Sequence, residues 1–421
     1  MNSQRPSWRR LPIEATCSRI TSGGTPLRST LRFYDGGLIR WVKTGELKDW
    51  YIEDTAEKIT EQAIQESSAK LLPKETVLMA MYGDGRTITS LGILRHESAS
   101  NQASCAMIAN PAVCSPLFLF YSLKAHRHAL LKLAYGGAQR NLNAKTIRQF
   151  EIAVPPIPIQ SRIASILSAY DFLIENNNRR IKILENMAQM IYREWFINFR
   201  FPGHEKVKLV ESELGPIPKG WSAKCVTDAV LVDPTTKVPR EGVKPFVPMG
   251  SLSDNLMLIS NVEEREGNSG AKFKNGDTLF ARITPCLENG KTGFVQFLPF
   301  DDAVAFGSTE FIVLRSNTVC PEFVYLMARS SEFRGNAIKS MSGATGRQRV
   351  QGACFGRFFI AQPDAGTLNR FQNLAAPMFR LIHSLNLKNT NLRTTRDFLL
   401  PKLISGEIPV EAASELVEQT A

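Results

Sequence analysis

The sequence predicts an α/β (α+β) fold built twice: two similar globular domains separated by two long antiparallel coiled-coil helices, related by a pseudo-twofold axis. Three observations predict it. A shift of 208 residues places Phe150, Ile152, Ala153 and Pro155 on Phe358, Ile360, Ala361 and Pro363, and it runs on without a gap through Arg162/Arg370, Leu173/Leu381, Ile174/Ile382, Asn178/Asn386 and Leu184/Leu392. Each half ends in a long apolar stripe whose steps alternate three and four. Short strand-like runs, Thr76–Met81, Thr278–Ile283 and Glu310–Leu314, are bounded by Gly, Pro, Asn and Asp. A period this long is too large for a solenoid and indicates two copies of one domain.

The elements follow in order. The first domain is residues 1–157, with Trp8 near its start and Trp41-Val42-Lys43-Thr44-Gly45-Glu46-Leu47 echoed later by Phe246-Val247-Pro248-Met249-Gly250-Ser251-Leu252. Pro-Pro-Ile-Pro at 155–158 closes it, because proline lacks a donor and biases its neighbour away from helix. A helix over 158–200 carries Ile159, Ile163, Ile166, Tyr170, Leu173, Ile181, Leu184, Ala188, Ile191 and Trp195 as a heptad seam, with Asn177 midway as either a register-fixing seam residue or a surface turn of the stripe. A linker over 201–220 holds three prolines. The second domain, 221–366, opens on Trp221, and a second helix over 367–408 carries Phe371, Leu374, Met378, Leu381, Leu385, Leu392 and Leu399, before a tail over 409–421. Pro377 predicts a kink or a late helix start. Helices of this length reach ~55–60 Å at 1.5 Å per residue. The short linker favours antiparallel pairing, with the domains at opposite ends.

Composition narrows the class. With 43% hydrophobic and 22% charged residues in 421, a packed soluble chain is expected, and no apolar run is long enough to span a membrane. The start lacks the apolar core of a signal peptide, so the cytoplasm is expected. The seven cysteines are scattered without a C-x-x-C, which supports neither a disulfide framework nor a zinc ribbon. A net charge of +11 favours a polyanionic partner. The base is concentrated in two acid-free stretches. One, between Glu97 and Glu151, holds Lys124, Arg127, Lys132, Arg140, Lys145 and Arg148; the other, between Glu332 and Asp364, holds Arg334, Lys339, Arg347, Arg349 and Arg357. Solvated faces are the bland alternative, but clustered cations at matching places in two halves suit a phosphate backbone.

Within those stretches lie Gly136-Gly-Ala-Gln-Arg-Asn141 and Gly343-Ala-Thr-Gly-Arg-Gln-Arg349, glycine-rich turns each loaded with Arg and Gln. Glycine lets backbone approach phosphate, and Arg, Gln or Asn pair bidentately with purine edges. Gln139, Arg140, Asn141, Arg347, Gln348 and Arg349 are therefore candidate DNA-binding residues, as against ordinary surface loops. Lys43 and Thr44 in the first half, and Lys237 and Arg240 in the second, are weaker candidates. Asn176-Asn-Asn-Arg-Arg180 reads as helix surface. Tyr192, Trp195, Phe196, Phe199 and Phe201 crowd beyond a simple stripe. They either fill the seam or form a partly exposed patch for another subunit, and Tyr192, Trp195, Phe196 and Phe199 are assigned to the patch. No catalytic residue, bound cofactor or metal ligand is assigned. A G-x-x-x-x-G-K-[ST] loop and an Asn/Asp-Pro-Pro-aromatic tetrad are both missing from the sequence. Asp35 with Glu46-Leu-Lys48 has a nuclease-like spacing, which supports a rival reading as a free-standing DNA-cleaving enzyme. His126-x-His128 reads as solvent-facing or as part of the basic patch. A second rival is a scaffold without sequence readout.

Several stretches carry a resemblance. They are Pro155-Pro-Ile-Pro-Ile-Gln160-Ser-Arg-Ile-Ala164, Leu184-Glu-Asn-Met-Ala-Gln189, Tyr192-Arg-Glu-Trp-Phe196, Phe199-Arg-Phe-Pro-Gly203, Leu214-Gly-Pro-Ile-Pro-Lys-Gly-Trp221 and Arg396-Asp-Phe-Leu-Leu-Pro401-Lys-Leu-Ile-Ser-Gly-Glu407. Together with the duplication, the chain resembles the specificity (S) subunits of prokaryotic Type I restriction–modification enzymes. The resemblance implies two target recognition domains reading a bipartite double-stranded DNA target, in the service of DNA methylation and defence against foreign DNA. It implies conserved helices that dock two methyltransferase (M) subunits, with motor/endonuclease (R) subunits joining them. The chain itself would be non-catalytic and without cofactor. S-adenosylmethionine, ATP and Mg would belong to the partners, and the complex would sit on the nucleoid. In the second copy, Gln362-Pro-Asp-Ala-Gly-Thr-Leu-Asn departs from the pattern, having lost the proline–glutamine lead-in.

Overall fold

The structure is a computed structural model describing residues 8–83, 87–136, 140–344, 346 and 348–411. The chain divides into two compact units, Met1–Ile174 with Asn391–Ala421, and Glu175–Thr390.

In the first unit, Val77–Ala80 and Leu91–Leu94 are buried at every position, so they take central places in a five-stranded sheet. Its order is Cys17–Ser22, Ser104–Ala109, Val77–Ala80, Leu91–Leu94, Trp50–Ile52, antiparallel except for the last pair. The second unit repeats four of these places as Val230–Val232, Phe311–Ser316, Thr278–Ala281, Thr292–Phe294. The echo around Trp41 and Phe246 falls on equivalent strands. Ile39–Val42 runs parallel to Ala99–Ser100 and antiparallel to Lys58–Ile59, as Lys244–Val247 does to Val304–Gly307 and Glu263–Arg265. Each unit is tied at its base by an antiparallel pair, Arg9–Pro12 with Glu151–Val154 and Ser222–Cys225 with Phe359–Gln362. Just beyond it, Ile13 N–H donates to Phe150 O (2.9 Å) and Val226 N–H to Phe358 O (2.8 Å). The 208-residue shift is thus a repeat of topology as well as of apolar phase.

Helices Pro116–Ala125 and Pro321–Arg329 pack on the sheets, each with proline at its first turn, where the missing donor costs nothing. The sides of the first are almost all apolar, and Phe118–Leu123 are buried throughout, as expected of a helix enclosed by core.

The two long helices span Ile157–Tyr192 and Ala365–Ile404, the first continuing into a wider turn at Arg193–Ile197. In the first unit Ile163, Ile166, Leu167 and Tyr170 share a core with Leu399, Leu400, Leu403 and Ile404. In the second, Ile181, Ala188 and Tyr192 share one with Phe371, Ala375, Phe379, Ile382 and Leu385. Pairing within each unit is antiparallel: Arg162 meets Glu411 and Asp171 meets Arg396, while Asn177 meets Asn389 and Trp195 meets Phe371. Asn177 does sit in the seam. Its amide donates to Asn389 Oδ1 (2.9 Å), and Asn389 donates to Asn178 Oδ1 (2.9 Å), so the buried amides satisfy one another.

Three expectations are corrected. The seam drifts: Leu173, Leu374 and Leu381 are exposed, and Ile174, Ala375 and Ile382 take the buried places, because a straight helix turns 3.6 rather than 3.5 residues. Of the two outcomes expected at Pro377, the late helix start does not occur: helix runs through it from a start at Ala365, the buried run Phe371, Ala375, Phe379 and Ile382 offsetting the one lost hydrogen bond. The aromatic cluster is core, not an exposed patch. Tyr192, Trp195 and Phe196 are buried, and Phe196 lies 4.8 Å from the rings of both Phe323 and Phe371. Phe199 is half-buried with its ring edge on Trp221. The patch is covered because residues distant in sequence fold back over it.

The lost lead-in of the second copy also has a physical substitute. In the first copy, buried Gln160 donates to Val113 O (2.9 Å) and Pro155 O (2.8 Å) and accepts from Ser115 N–H (2.9 Å). In the second, Asp364 caps the helix instead, accepting from Thr367 N–H (2.9 Å) and from the Trp221 indole (3.2 Å).

A buried tyrosine–carboxylate bond clasps each unit to its stretch of the first long helix. Tyr121 donates to Asp171 (2.7 Å), and Tyr325 donates to Glu185, which also accepts from Met257 N–H (3.1 Å). Burial pushes the Glu185 carboxyl above its ordinary range despite these bonds. A raised folded-state value favours the protonated form, so this contribution to stability is present at acid pH. It is lost as pH rises above the ordinary glutamate value of about 4.3 toward the raised one. Glu185→Gln is expected to flatten that part of the stability–pH curve. Urea midpoints measured from about pH 4 upward check it, and an unchanged slope would contradict the assignment.

Candidate nucleic-acid interface

The two glycine-rich turns are built on one backbone plan. In the first unit, Tyr135 and Asn141 exchange both backbone hydrogen bonds (3.0 and 2.8 Å), Leu142 N–H donates to Met81 O (2.8 Å), and Met81 N–H donates to Ala103 O (2.9 Å). In the second, Ser342 and Arg349 exchange both (3.1 and 2.9 Å), Val350 N–H donates to Arg282 O (2.8 Å), and Arg282 N–H donates to Glu310 O (3.0 Å). Each turn is therefore pinned at its closing end to two neighbouring strand ends of the main sheet. Gly136 and Gly343 stand at the opening with φ of 111° and 121°, a region glycine enters without strain.

The candidates distribute unevenly over this frame. Gln139 and Arg347 lie outside the described residues, and Arg140 is described only as backbone, in the strand Arg140–Asn141 that pairs with Tyr82–Gly83. Asn141 closes its turn and carries a buried Oδ1 with no partner among the described residues. The Gln348 carbonyl accepts from Thr284 N–H (3.1 Å). Arg349 grips Glu310 with Nε (2.9 and 3.1 Å) and Nη2 (2.7 Å), and the pairing holds the Glu310 carboxyl below its ordinary range. Arg282 lies alongside, donating from Nε to Val350 O (3.1 Å) and from Nη2 to Gln351 (2.8 Å). Sequence reasoning missed Arg282 and Glu310 because both fall outside the acid-free stretch. An arginine at the end of one strand-like run and a glutamate at the start of another were the available signal.

Other cations are committed elsewhere. Lys43 pairs with Glu57, which also holds Arg28. Thr44 opens a short turn, its carbonyl accepting from Leu47 N–H (3.2 Å). Arg127 forks onto Asp49 (2.7 Å to Oδ2), and Lys124 reaches the Asp49 carbonyl (3.4 Å), so two cations of the first acid-free stretch hold a loop rather than face solvent. Arg148 caps Ile20 O (2.8 Å). Lys132, Lys145, Lys237, Arg240, Lys339 and Arg357 are exposed.

The nuclease-like spacing has a structural use. Glu46 accepts from the backbone N–H groups of Lys43 and Ala56 (2.8 Å each), one on each oxygen, so its carboxylate is occupied in holding the chain. His126 Nδ1 donates to Ser122 O (2.8 Å), with its ring edge on Phe150. Among the described residues no group of three or more His, Cys, Asp or Glu is placed to hold a metal ion, and no helix is long and apolar enough to cross a membrane.

Residues 18–186 match the family described as the Type I restriction modification DNA specificity domain. Over 410 residues the chain is 26% identical to the Type I restriction enzyme MjaIX specificity subunit of Methanocaldococcus jannaschii, covering 93% of this chain and 91% of that one. It is 25% identical over 193 residues to the EcoR124I/EcoR124II specificity subunit of Escherichia coli, 44% of this chain and 46% of the relative. Among solved structures it shares its fold with the S subunit of a Type I restriction–modification system from M. genitalium (TM-score 0.56, 13% identity, 96% of this chain and 98% of that one).

Proposed function

This chain belongs to the family of Type I restriction specificity subunits, and from that premise we propose that it reads a bipartite DNA duplex, each unit reading one half-site through its glycine-rich turn. The observation that carries this reading is the turn itself, built twice on the same hydrogen-bonded frame but with different side chains. Equal frames suit two equivalent approaches to duplex, and unequal side chains suit an asymmetric target. Lys132 and Lys145 in one unit, and Lys237, Arg240, Lys339 and Arg357 in the other, supply exposed charge for phosphate. The recognition domains in this reading are residues 1–157 and 221–366.

The chemistry belongs to partner subunits, which bring S-adenosylmethionine, ATP and Mg²⁺, while this chain acts on the nucleoid as their non-catalytic guide. Methyltransferase subunits dock on the long helices. In the second unit the surface for them is the exposed stripe Ile183, Met187, Met190 and Ile197, which lies away from the buried seam and replaces the aromatic cluster in that role.

Mapping methylated bases in a host genome with and without this gene tests the reading. Loss of one two-part motif on deletion is expected. A methylome that does not change would overturn the proposal.

A further inference from the structure

The closing node of each turn brings three equivalent positions together: Met81, Ala103 and Asn141 in the first unit, Arg282, Glu310 and Arg349 in the second. The backbone bonds are the same in both. The first unit closes its node with a thioether, a methyl and an amide, so the frame does not require charge there. The second unit places two guanidinium groups and a carboxylate on that frame, at the base of a turn that Arg349 itself ends.

The geometry of the charged trio is specific. Glu310 engages the Nε and Nη2 side of Arg349, and its own side chain is only 22% exposed while that of Arg349 is 47% exposed. A planar guanidinium held along that edge keeps its plane fixed and leaves the Nη1/Nη2 edge with two parallel N–H donors. Among the described residues no other group engages that edge. Two parallel donors match the O6 and N7 acceptors of guanine in the major groove, a pattern no other base presents. The carboxylate meanwhile offsets part of the arginine's charge, which weakens a bare phosphate contact more than a bidentate base contact.

We propose that Arg349, oriented by Glu310, is a specificity-determining residue of the second unit and selects a guanine in the half-site that this unit reads. The inference rests on the DNA-reading function proposed above. Arg349 touches the base; Glu310 is a positioning residue. Arg282, anchored to Val350 O and Gln351, fixes the strand end from which the trio is built.

The test complements a deletion host with the wild-type gene, R349Q, R349K or E310A and maps the methylated motif of each. If the wild-type gene restores no motif, the DNA-reading function fails, and that result is distinct from any failure of this inference. Given a restored motif, R349Q and R349K are each expected to relax one guanine of one half-site, with the other half unchanged. Discrimination at that position should fall by about ten- to a hundredfold. E310A should relax the same position to a smaller degree. An unaltered motif with R349Q would overturn the proposal because the side chain would not be needed, and an unaltered motif with R349K would overturn it because charge alone would suffice. Should R349Q methylate nothing, the purified variant is titrated against duplexes of the mapped motif changed one base pair at a time. Weakening confined to one guanine supports the assignment, and equal weakening on every duplex overturns it. E310Q, which keeps the shape and a neutral acceptor, should restore part of the guanine preference lost in E310A; no difference between the two would remove Glu310 from the mechanism.

Discussion

Phe196→Ala is expected to lower the stability of the second unit by about 3–5 kcal/mol, the usual cost of removing a buried aromatic ring from a packed core. The ring is 4% exposed and is met by Tyr192, Trp221, Phe323 and Phe371 at centroid distances of 4.8–5.9 Å, edge to face on Phe323 and Phe371 and tilted on the other two. Those partners come from the long helix, the start of the second domain, a helix in its middle and the returning C-terminal helix, so one cavity would loosen four segments at once. Both tryptophans of the second unit, Trp195 and Trp221, belong to this cluster, so their fluorescence reports its melting in denaturant directly. Ile197→Ala, at a neighbouring position that is 40% exposed, is the contrast and should cost under about 1 kcal/mol. An unchanged midpoint for Phe196→Ala would return the cluster to the surface and to a partner.

That contrast marks where sequence reasoning succeeds and where it stops. The duplication was legible because apolar phase survives when identity does not: Phe150 and Phe358 close the same kind of strand pair, and their carbonyls accept from Ile13 and Val226. The long helices were legible from period and their antiparallel pairing from the short linker, whereas period left Asn177 open between the seam and the surface. What period cannot carry is the angular drift that hides Ile174 and exposes Leu173. Nor can it reveal which distant residue covers a local cluster, so Phe196 read as a surface patch. Charge runs mislead for a related reason. Arg127 lies 78 residues from Asp49, and Lys43 lies 14 from Glu57, and neither spacing signals a pair. The turns were legible as candidate loops, but the partners that give them different chemistry, Glu310 and Arg282, become neighbours only once the sheet forms.

The same limit governs the most heavily buried charge in the first unit. Asp171 accepts from Tyr121 Oη (2.7 Å) and pairs with Arg396, whose side chain is 11% exposed against 5% for the aspartate. Removing one partner of such a pair strands the other, and the cost is typically about 3–5 kcal/mol. Asp171→Ala is expected to fall at the lower end of that range, because Asp397 also holds Arg396, through Nε at 2.9 Å. The Tyr121 hydroxyl would lose its acceptor as well, and an unmade buried hydrogen bond adds to the loss. Replacing the whole pair, Asp171→Leu with Arg396→Met, should recover most of the stability, since desolvating two charges costs about as much as their attraction returns. The denaturation midpoint of the first unit, followed through Trp41 and Trp50, separates the outcomes. A loss below about 1 kcal/mol for Asp171→Ala would show that the pair is effectively solvated. A double variant no better than the single would show that the carboxylate holds the helices in register through Tyr121 rather than through Arg396.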